Sequence, residues 1–151
     1  MKWQQALTDY QHYLRIERGL SANSIENYQY DIVKLISYLE ENKIEASPIK
    51  ISEEKIQEFI YQVSKTMSER SQSRIISGLR SFFDYLVFED LRKDNPLELI
   101  ESPKIGRKLP DTLSTEEIDQ LIESIDLSHA QGERNRCILE TLYSCGLRVS
   151  E

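Results

Sequence analysis

The sequence predicts an all-α protein, and three observations lead to that fold class. Apolar residues recur every three to four positions over most of the 151 residues, which is the period of an amphipathic helix. No run alternates polar and apolar residues for long enough to predict a strand. Pro96, Pro103 and Pro110 fall close together and divide the helical pattern into a first part of four helices and a second part of two.

The first two helices are predicted from their apolar stripes and from the residues at their ends. Gly19 is expected to stop the first helix, and Ser21 to cap the second. The stripe of the first helix comprises Trp3, Leu7, Tyr10 and Leu14. The stripe of the second helix comprises Ile25, Tyr28, Ile32, Leu35, Ile36 and Leu39.

The third and fourth helices follow a loop that contains Pro48. Ser52 is expected to open the third helix, with two glutamates at the positive end of its dipole. The fourth helix is expected to begin near Ser68 or Ser71. Their stripes comprise Ile56, Phe59, Ile60 and Val63 in the third helix, and Ile75, Ile76, Leu79, Phe82, Phe83 and Leu86 in the fourth.

The stretch "DNPLELIESPKIGRKLPDT" predicts an extended linker over residues 94–112, because proline lacks a donor and restricts the residue before it. Beyond the linker, Ser114 and Glu117 fit a capping box. The fifth helix is expected to end at about Ser124, and the sixth to run from about Glu133 to Cys145. Residues 113–151 are few for an independent core, so we expect them to begin a larger domain.

Composition narrows the class of protein. The net charge of −7 is uneven: residues 1–111 carry 16 Lys and Arg against 18 Asp and Glu, and residues 112–151 carry 3 against 8. DNA binding depends on a local basic surface rather than on this total. No run approaches the roughly 20 apolar residues of a membrane span. Cys137 and Cys145 are expected to be reduced, core-facing residues of a cytoplasmic protein.

Polar residues lie opposite the apolar stripes of the second and fourth helices. Arginine and asparagine bind base edges, and hydroxyl groups bind phosphate oxygens. Any amphipathic helix also has a solvated polar face, so both interpretations stay open on spacing alone. Arg148, read by itself, is a surface arginine after a glycine stop. The two polar rows comprise Asn23, Asn27, Tyr30 and Lys34 in the second helix, and Arg70, Arg74, Ser77 and Ser81 in the fourth.

Four motifs, in order and in register, resemble the tyrosine recombinases, and most of all the Xer-type site-specific recombinases of bacteria. They are "LSANSIENYQYDIVKLISYL", "SRIISGLRSFFDYL", "DNPLELIESPKIGRKLPDTLSTEEID" and "RNRCILETLYSCGLRVSE". The most specific part is "YSCGLRVSE", and the resemblance extends from the first helix to the last residue.

The resemblance implies a SAM-like core-binding domain of four helices over residues 1–93, whose second and fourth helices meet the major groove of duplex DNA. Residues 94–112 then link the two domains across the DNA, and Lys104, Arg107 and Lys108 would neutralise phosphates. Residues 113–151 would begin an incomplete catalytic domain. The implied DNA contacts of the bundle are Asn23, Ser24, Asn27, Tyr30, Lys34, Arg70, Ser71, Arg74 and Ser77.

The family exchanges phosphodiester bonds through a 3′-phosphotyrosyl intermediate, without metal or nucleotide cofactor. Arg148 matches the first of its two catalytic arginines, which stabilise charge on phosphoryl oxygens. The family's lysine, H-x-x-R motif and nucleophilic tyrosine would lie beyond residue 151, so these 151 residues alone are expected to be inactive. The resemblance also implies that the complete recombinase assembles as a tetramer on two DNA sites.

Two other functions stay open at this stage. A phage or transposon integrase would share the motifs, although its frequent extra N-terminal domain is not matched here. A helical protein-interaction module without a DNA role is favoured by the charge of −7. The two helices of the second part are expected to pack against another copy, to fold back on the bundle, or to be poorly ordered.

Overall fold

The computed structural model describes residues 1–106 and 109–150 and confirms the all-α class, with six helices and no strand among those residues. The chain divides into two compact units, Met1–Gly106 and Arg107–Glu151. No helix of the described residues is both long enough and apolar enough to cross a membrane.

The first unit is a bundle of four helices: α1 Trp3–Ile16, α2 Ala22–Glu41, α3 Glu53–Thr66 and α4 Glu69–Phe88. Helix α2 packs against α1 and α4, and α3 packs against α4. Ser21 caps α2 as the sequence predicts, and Ser68, one of the two predicted starts of the fourth helix, caps α4. Gly19 has a φ of +59°, a left-handed conformation that costs glycine little and lets the chain turn from α1 into α2.

The apolar stripes of all four helices meet in one core. Three aromatic rings lie at its centre: Tyr10 of α1, and Phe82 and Phe83 of α4, all fully buried. The ring centroids of Tyr10 and Phe82 are 5.3 Å apart, with the rings nearly perpendicular. The Tyr10 hydroxyl donates to Ser81 Oγ at 2.9 Å, which gives a buried polar group the partner it needs.

The predicted linker of residues 94–112 is not extended throughout. Leu97 is fully buried in the bundle core, and residues 96–99 form a turn. The Arg80 guanidinium donates to the carbonyl of Ile100 at 2.6 Å, and Asn95 donates to the carbonyl of Arg80 at 3.1 Å. The start of the segment therefore folds back on α4, because an apolar side chain three residues after the predicted boundary completes the core.

The second unit contains α5 Thr115–Glu123 and α6 Gly132–Cys145, which pack against each other. The predicted capping box is present, since the backbone of Glu117 donates to Ser114 Oγ at 3.2 Å and the backbone of Ser114 donates to the Glu117 carboxylate at 2.8 Å. Gly146 ends α6 with a φ of +61°. The prediction that Cys137 and Cys145 face a core is wrong, because both are exposed.

Candidate nucleic-acid interface

The two helices that carry the polar rows begin in the same way. The N-cap Ser21 of α2 accepts from the backbone N–H of Ser24 at 3.3 Å, and the N-cap Ser68 of α4 accepts from the backbone N–H of Ser71 at 3.3 Å. Both predicted contacts, Ser24 and Ser71, therefore lie in the first turn of a 20-residue helix. Backbone N–H groups in a first helical turn favour anions such as phosphate.

The polar row of α2 combines amides, an aromatic ring and a cation. Asn23 and Asn27 are exposed, and the Asn27 amide donates to the Asn23 carbonyl at 2.8 Å. Further along the helix, Tyr30 is exposed, and the Lys34 ammonium lies 4.8 Å from the centroid of its ring. The amide oxygen, the phenol and the ammonium group together offer acceptors and donors to a ligand.

The polar row of α4 carries two arginines and two serines, and the predicted contact Ser71 lies in the first turn of the same helix. Arg70 and Ser77 are exposed, whereas Ser71 and Ser81 are half-buried. Ser77 Oγ donates to the carbonyl of Ser73 at 2.9 Å. The remaining member, Arg74, is 44% exposed at its side chain. This surface combines guanidinium and hydroxyl groups, which match phosphate oxygens and base edges.

The rows meet where α2 packs against α4, because side chains bridge this junction. Arg74 Nη1 lies 2.8 Å from Asp31 Oδ1 and donates to Asp31 Oδ2 at 3.0 Å. Lys34 Nζ lies 3.6 Å from the sulfur of Met67, the residue before the cap of α4. Both predicted rows therefore share the α2–α4 junction.

Asp31 was missed by the sequence reasoning, although a signal for it exists. It lies between Tyr28 and Leu35, at the helical spacing of the apolar stripe, where a carboxylate requires a partner. Its side chain is only 3% exposed. Burial raises the pKa of the Asp31 carboxyl, an effect opposed by the nearby charges of Arg74 and Lys34.

The other predicted residues belong to segments of the chain after α4. Lys104 is exposed near the end of the first unit, and Arg107 and Lys108 lie outside the described residues. Arg148 is exposed and follows Gly146 in the second unit.

A four-helix bundle with these polar rows on its second and fourth helices is the architecture that the sequence resemblance leads one to expect. Residues 7–90 match the family model described as "Phage integrase, N-terminal SAM-like domain". That match covers more than half of the chain, and the chain belongs to the tyrosine recombinase, or phage integrase, family.

The similar proteins include several described as "Tyrosine recombinase XerD". The chain is 42% identical over 147 residues to the protein of Oceanobacillus iheyensis, an alignment that covers 97% of this chain and 49% of that protein. It is 39% identical to the protein of Staphylococcus epidermidis and 36% identical to that of Listeria monocytogenes, each over 96% of this chain and 49% of the relative. The chain thus corresponds to the N-terminal region of these recombinases and spans about half of their length.

A solved structure also resembles the chain. It is the integrase from mycobacterium phage Brujita, with a TM-score of 0.61 and 20% sequence identity over 96% of this chain and 46% of that one. At this identity the likeness supports the fold alone.

Proposed function

We propose that this chain is the DNA-holding part of a site-specific tyrosine recombinase that cuts and rejoins duplex DNA through a 3′-phosphotyrosyl intermediate. The observation that carries the proposal is the junction of α2 and α4, where the polar rows of both helices meet. The family to which the chain belongs gives this junction its meaning. The bundle would hold one side of the duplex in the cytoplasm, with side chains of both helices against the major groove.

The proposed contacts of the bundle differ in what they do. The cations Lys34, Arg70 and Arg74 would neutralise phosphates, and this part of binding is independent of sequence. The amides of Asn23 and Asn27 suit adenine edges, and arginine suits guanine edges. Ser24, Tyr30, Ser71 and Ser77 would contact phosphate oxygens.

The proposed catalytic contribution of the chain is one side chain, Arg148, which would stabilise charge on the scissile phosphate. The family's other catalytic groups, including the tyrosine, would belong to the part of the relatives' length that this chain does not span. The complete recombinase would act as a tetramer on two DNA sites. The division into residues 1–93, 94–112 and 113–151 is part of this proposal, with Lys104, Arg107 and Lys108 on the linker phosphates.

The test is the salt dependence of binding to a labelled duplex of about 30 base pairs. We expect the logarithm of the affinity to fall linearly with the logarithm of the salt concentration. Arg70→Ala should weaken binding and reduce the magnitude of the salt slope by roughly one, as expected for a lost phosphate contact. Lys55→Ala is the matched control, because Lys55 is an exposed cation on α3 that pairs with Glu58 at 2.8 Å, outside the proposed surface.

Three results would overturn the proposal. They are an affinity that does not depend on salt, an equal loss in the Arg70 and Lys55 variants, and absence of any duplex binding. The last result would favour a helical protein-interaction module, the alternative that the acidic total charge supports.

A further inference from the structure

Asp31 is a charged residue buried in the bundle, with a side chain only 3% exposed, and the facing helix α4 leaves space for its carboxylate. A Cβ atom at Gly78 of α4 would lie 2.5 Å from Asp31 Oδ2 and 3.0 Å from Asp31 Cβ. Neither separation is compatible with ordinary van der Waals contact. Gly78 therefore lets α4 approach α2 closely enough to cover a carboxylate, at a helix-interior position where glycine costs about 1 kcal/mol relative to alanine.

The partner of this carboxylate is Arg74, one turn before Gly78 on α4. The guanidinium contacts both carboxylate oxygens, as an ion pair to Oδ1 at 2.8 Å and as a hydrogen bond to Oδ2 at 3.0 Å. In the described part of the chain both contacts use Nη1, so the donors on Nη2 and Nε are available to a ligand. A buried anion thus holds one nitrogen of a guanidinium whose side chain is 44% exposed.

Stability does not account for this arrangement. Burial raises the pKa of the Asp31 carboxyl, and this effect outweighs the charges of Arg74 and Lys34, which lower it. Because the folded-state pKa lies above the unfolded one, the stability contributed by Asp31 is largest at acid pH and is lost as the pH rises through the folded pKa. A buried ion pair is often no more stabilising than apolar residues of similar volume, so stability gives little reason for a carboxylate at this position.

We propose that Asp31 is a positioning residue for DNA recognition, which holds the Arg74 guanidinium so that its outward donors meet acceptor atoms of the duplex. The inference rests on the proposed function and adds a residue that has no DNA contact of its own. An arginine that is already held at one nitrogen loses less conformational entropy on binding and presents its remaining donors in a narrower range of orientations. Gly78 is part of the same arrangement, because it makes room for the carboxylate.

The sign of the effect separates positioning from simple electrostatics. If Asp31 acted on DNA only through its negative charge, Asp31→Asn would bind the duplex more tightly, since a repulsive charge is removed. Positioning predicts the opposite, a loss of about tenfold in affinity, which is within the range for a single well-aligned arginine contact. Glu26→Gln is the matched control, because it removes the same charge from an exposed position of the same helix.

The experiment measures duplex affinity at several salt concentrations for the wild type, Asp31→Asn, Arg74→Ala and the double variant. Circular dichroism and thermal unfolding establish that each variant is folded, and Asp31→Ala, whose smaller side chain fits the space beside Gly78, serves if the asparagine variant is not. We expect Asp31→Asn to weaken binding in the presence of Arg74 and to have no further effect in the Arg74→Ala background, as coupled residues require. A reduced salt slope would indicate a phosphate contact, and a sequence-dependent loss would indicate a base edge.

Three outcomes are decisive. Wild-type affinity or tighter binding in a folded Asp31 variant overturns the inference, and so do losses that add in the double variant. In both cases salt-dependent binding by the wild type and weaker binding by Arg70→Ala would leave the proposed function standing. A wild-type chain that binds no duplex overturns the proposed function and this inference together.

Discussion

The two units of the chain bury their residues very differently. The first unit encloses a core of twenty apolar side chains that reaches from Ala6 to Leu97. In the second unit, the buried residue among those described is Gly132, and α5 contains none. Several of its large apolar side chains are substantially exposed, including Leu121, Ile138, Tyr143, Leu147 and Val149.

This difference shows that the two units are stabilised by different kinds of interaction. The bundle combines long-range packing with hydrogen bonds between distant segments, such as that from the Trp3 indole to the Ala46 carbonyl at 2.7 Å. The second unit depends on local features, namely the capping box of α5 and the glycine stop of α6. Since local helical features alone leave short helices marginal in water, the second unit is expected to be the less stable of the two.

The largest expected effect comes from truncating a large side chain in the core. Phe82 is fully buried and its ring lies 5.3 Å from those of Tyr10 and Phe83. Phe82→Ala should lower the free energy of unfolding of the bundle by about 3–5 kcal/mol. Trp3, the single tryptophan of the chain, reports on this unit by fluorescence during urea unfolding. Tyr143→Ala in the second unit should leave that transition within about 0.5 kcal/mol, and equal losses would contradict the comparison.

A smaller loss is expected from Arg92, which joins the end of the bundle to the loop before α3. Its side chain is 8% exposed, and its Nη1 lies 2.8 Å from the Ile51 carbonyl and 3.3 Å from those of Pro48 and Ile49. Arg92→Met should cost about 2–3 kcal/mol, because charge-assisted bonds are lost and buried carbonyls keep no donor. Equilibrium urea unfolding measures this cost, and an unchanged midpoint would show that the loop is held by its apolar residues.

The corresponding change in the second unit is at its helix cap. Ser114→Ala removes the side-chain acceptor for the Glu117 backbone and should weaken α5 by about 1 kcal/mol. Amide hydrogen exchange should increase within Thr115–Glu123 and stay unchanged in α1–α4. Faster exchange in the bundle would contradict the separation into two units.

The pH dependence of the bundle should come from its buried phenols. Burial, followed by the charges of Glu89, Asp9 and Glu17, raises the pKa of Tyr85 to about 12, and burial likewise raises the pKa of Tyr10. Both phenols stay protonated in the folded state at a pH at which they ionise in the unfolded chain. Their stabilising contribution is therefore complete below the ordinary value of 10.0 and is lost as the pH rises towards about 12.

Alkaline unfolding monitored by phenolate absorbance and by helicity tests this point. Tyr85→Phe removes one of the two phenol hydroxyls and keeps the ring. The free energy of unfolding of this variant should therefore fall less steeply above about pH 10 than that of the wild type. Identical pH profiles for the two proteins would contradict the assignment.

Local features of the fold could be read from the sequence because short-range patterns encode them. Helix periodicity gave the four stripes of the bundle, and side-chain chemistry gave the caps at Ser21, Ser68 and Ser114. The position of the two polar rows opposite the apolar stripes was also predictable, whereas their role in DNA binding stays a prediction. The exposed state of Cys137 and Cys145 was not foreseen, because a helical stripe does not specify whether anything covers it.

The sequence by itself determined the helices, their ends and the family to which the chain belongs. Only the tertiary structure decided which distant residues meet. Asp31 and Arg74 are 43 positions apart, and their pairing depends on how closely α4 approaches α2 at Gly78. The return of Leu97 to the core likewise depends on the space that the packed helices leave. Periodicity records the neighbours along one helix, whereas such contacts follow from the packing of separate helices, which no single stretch of sequence contains.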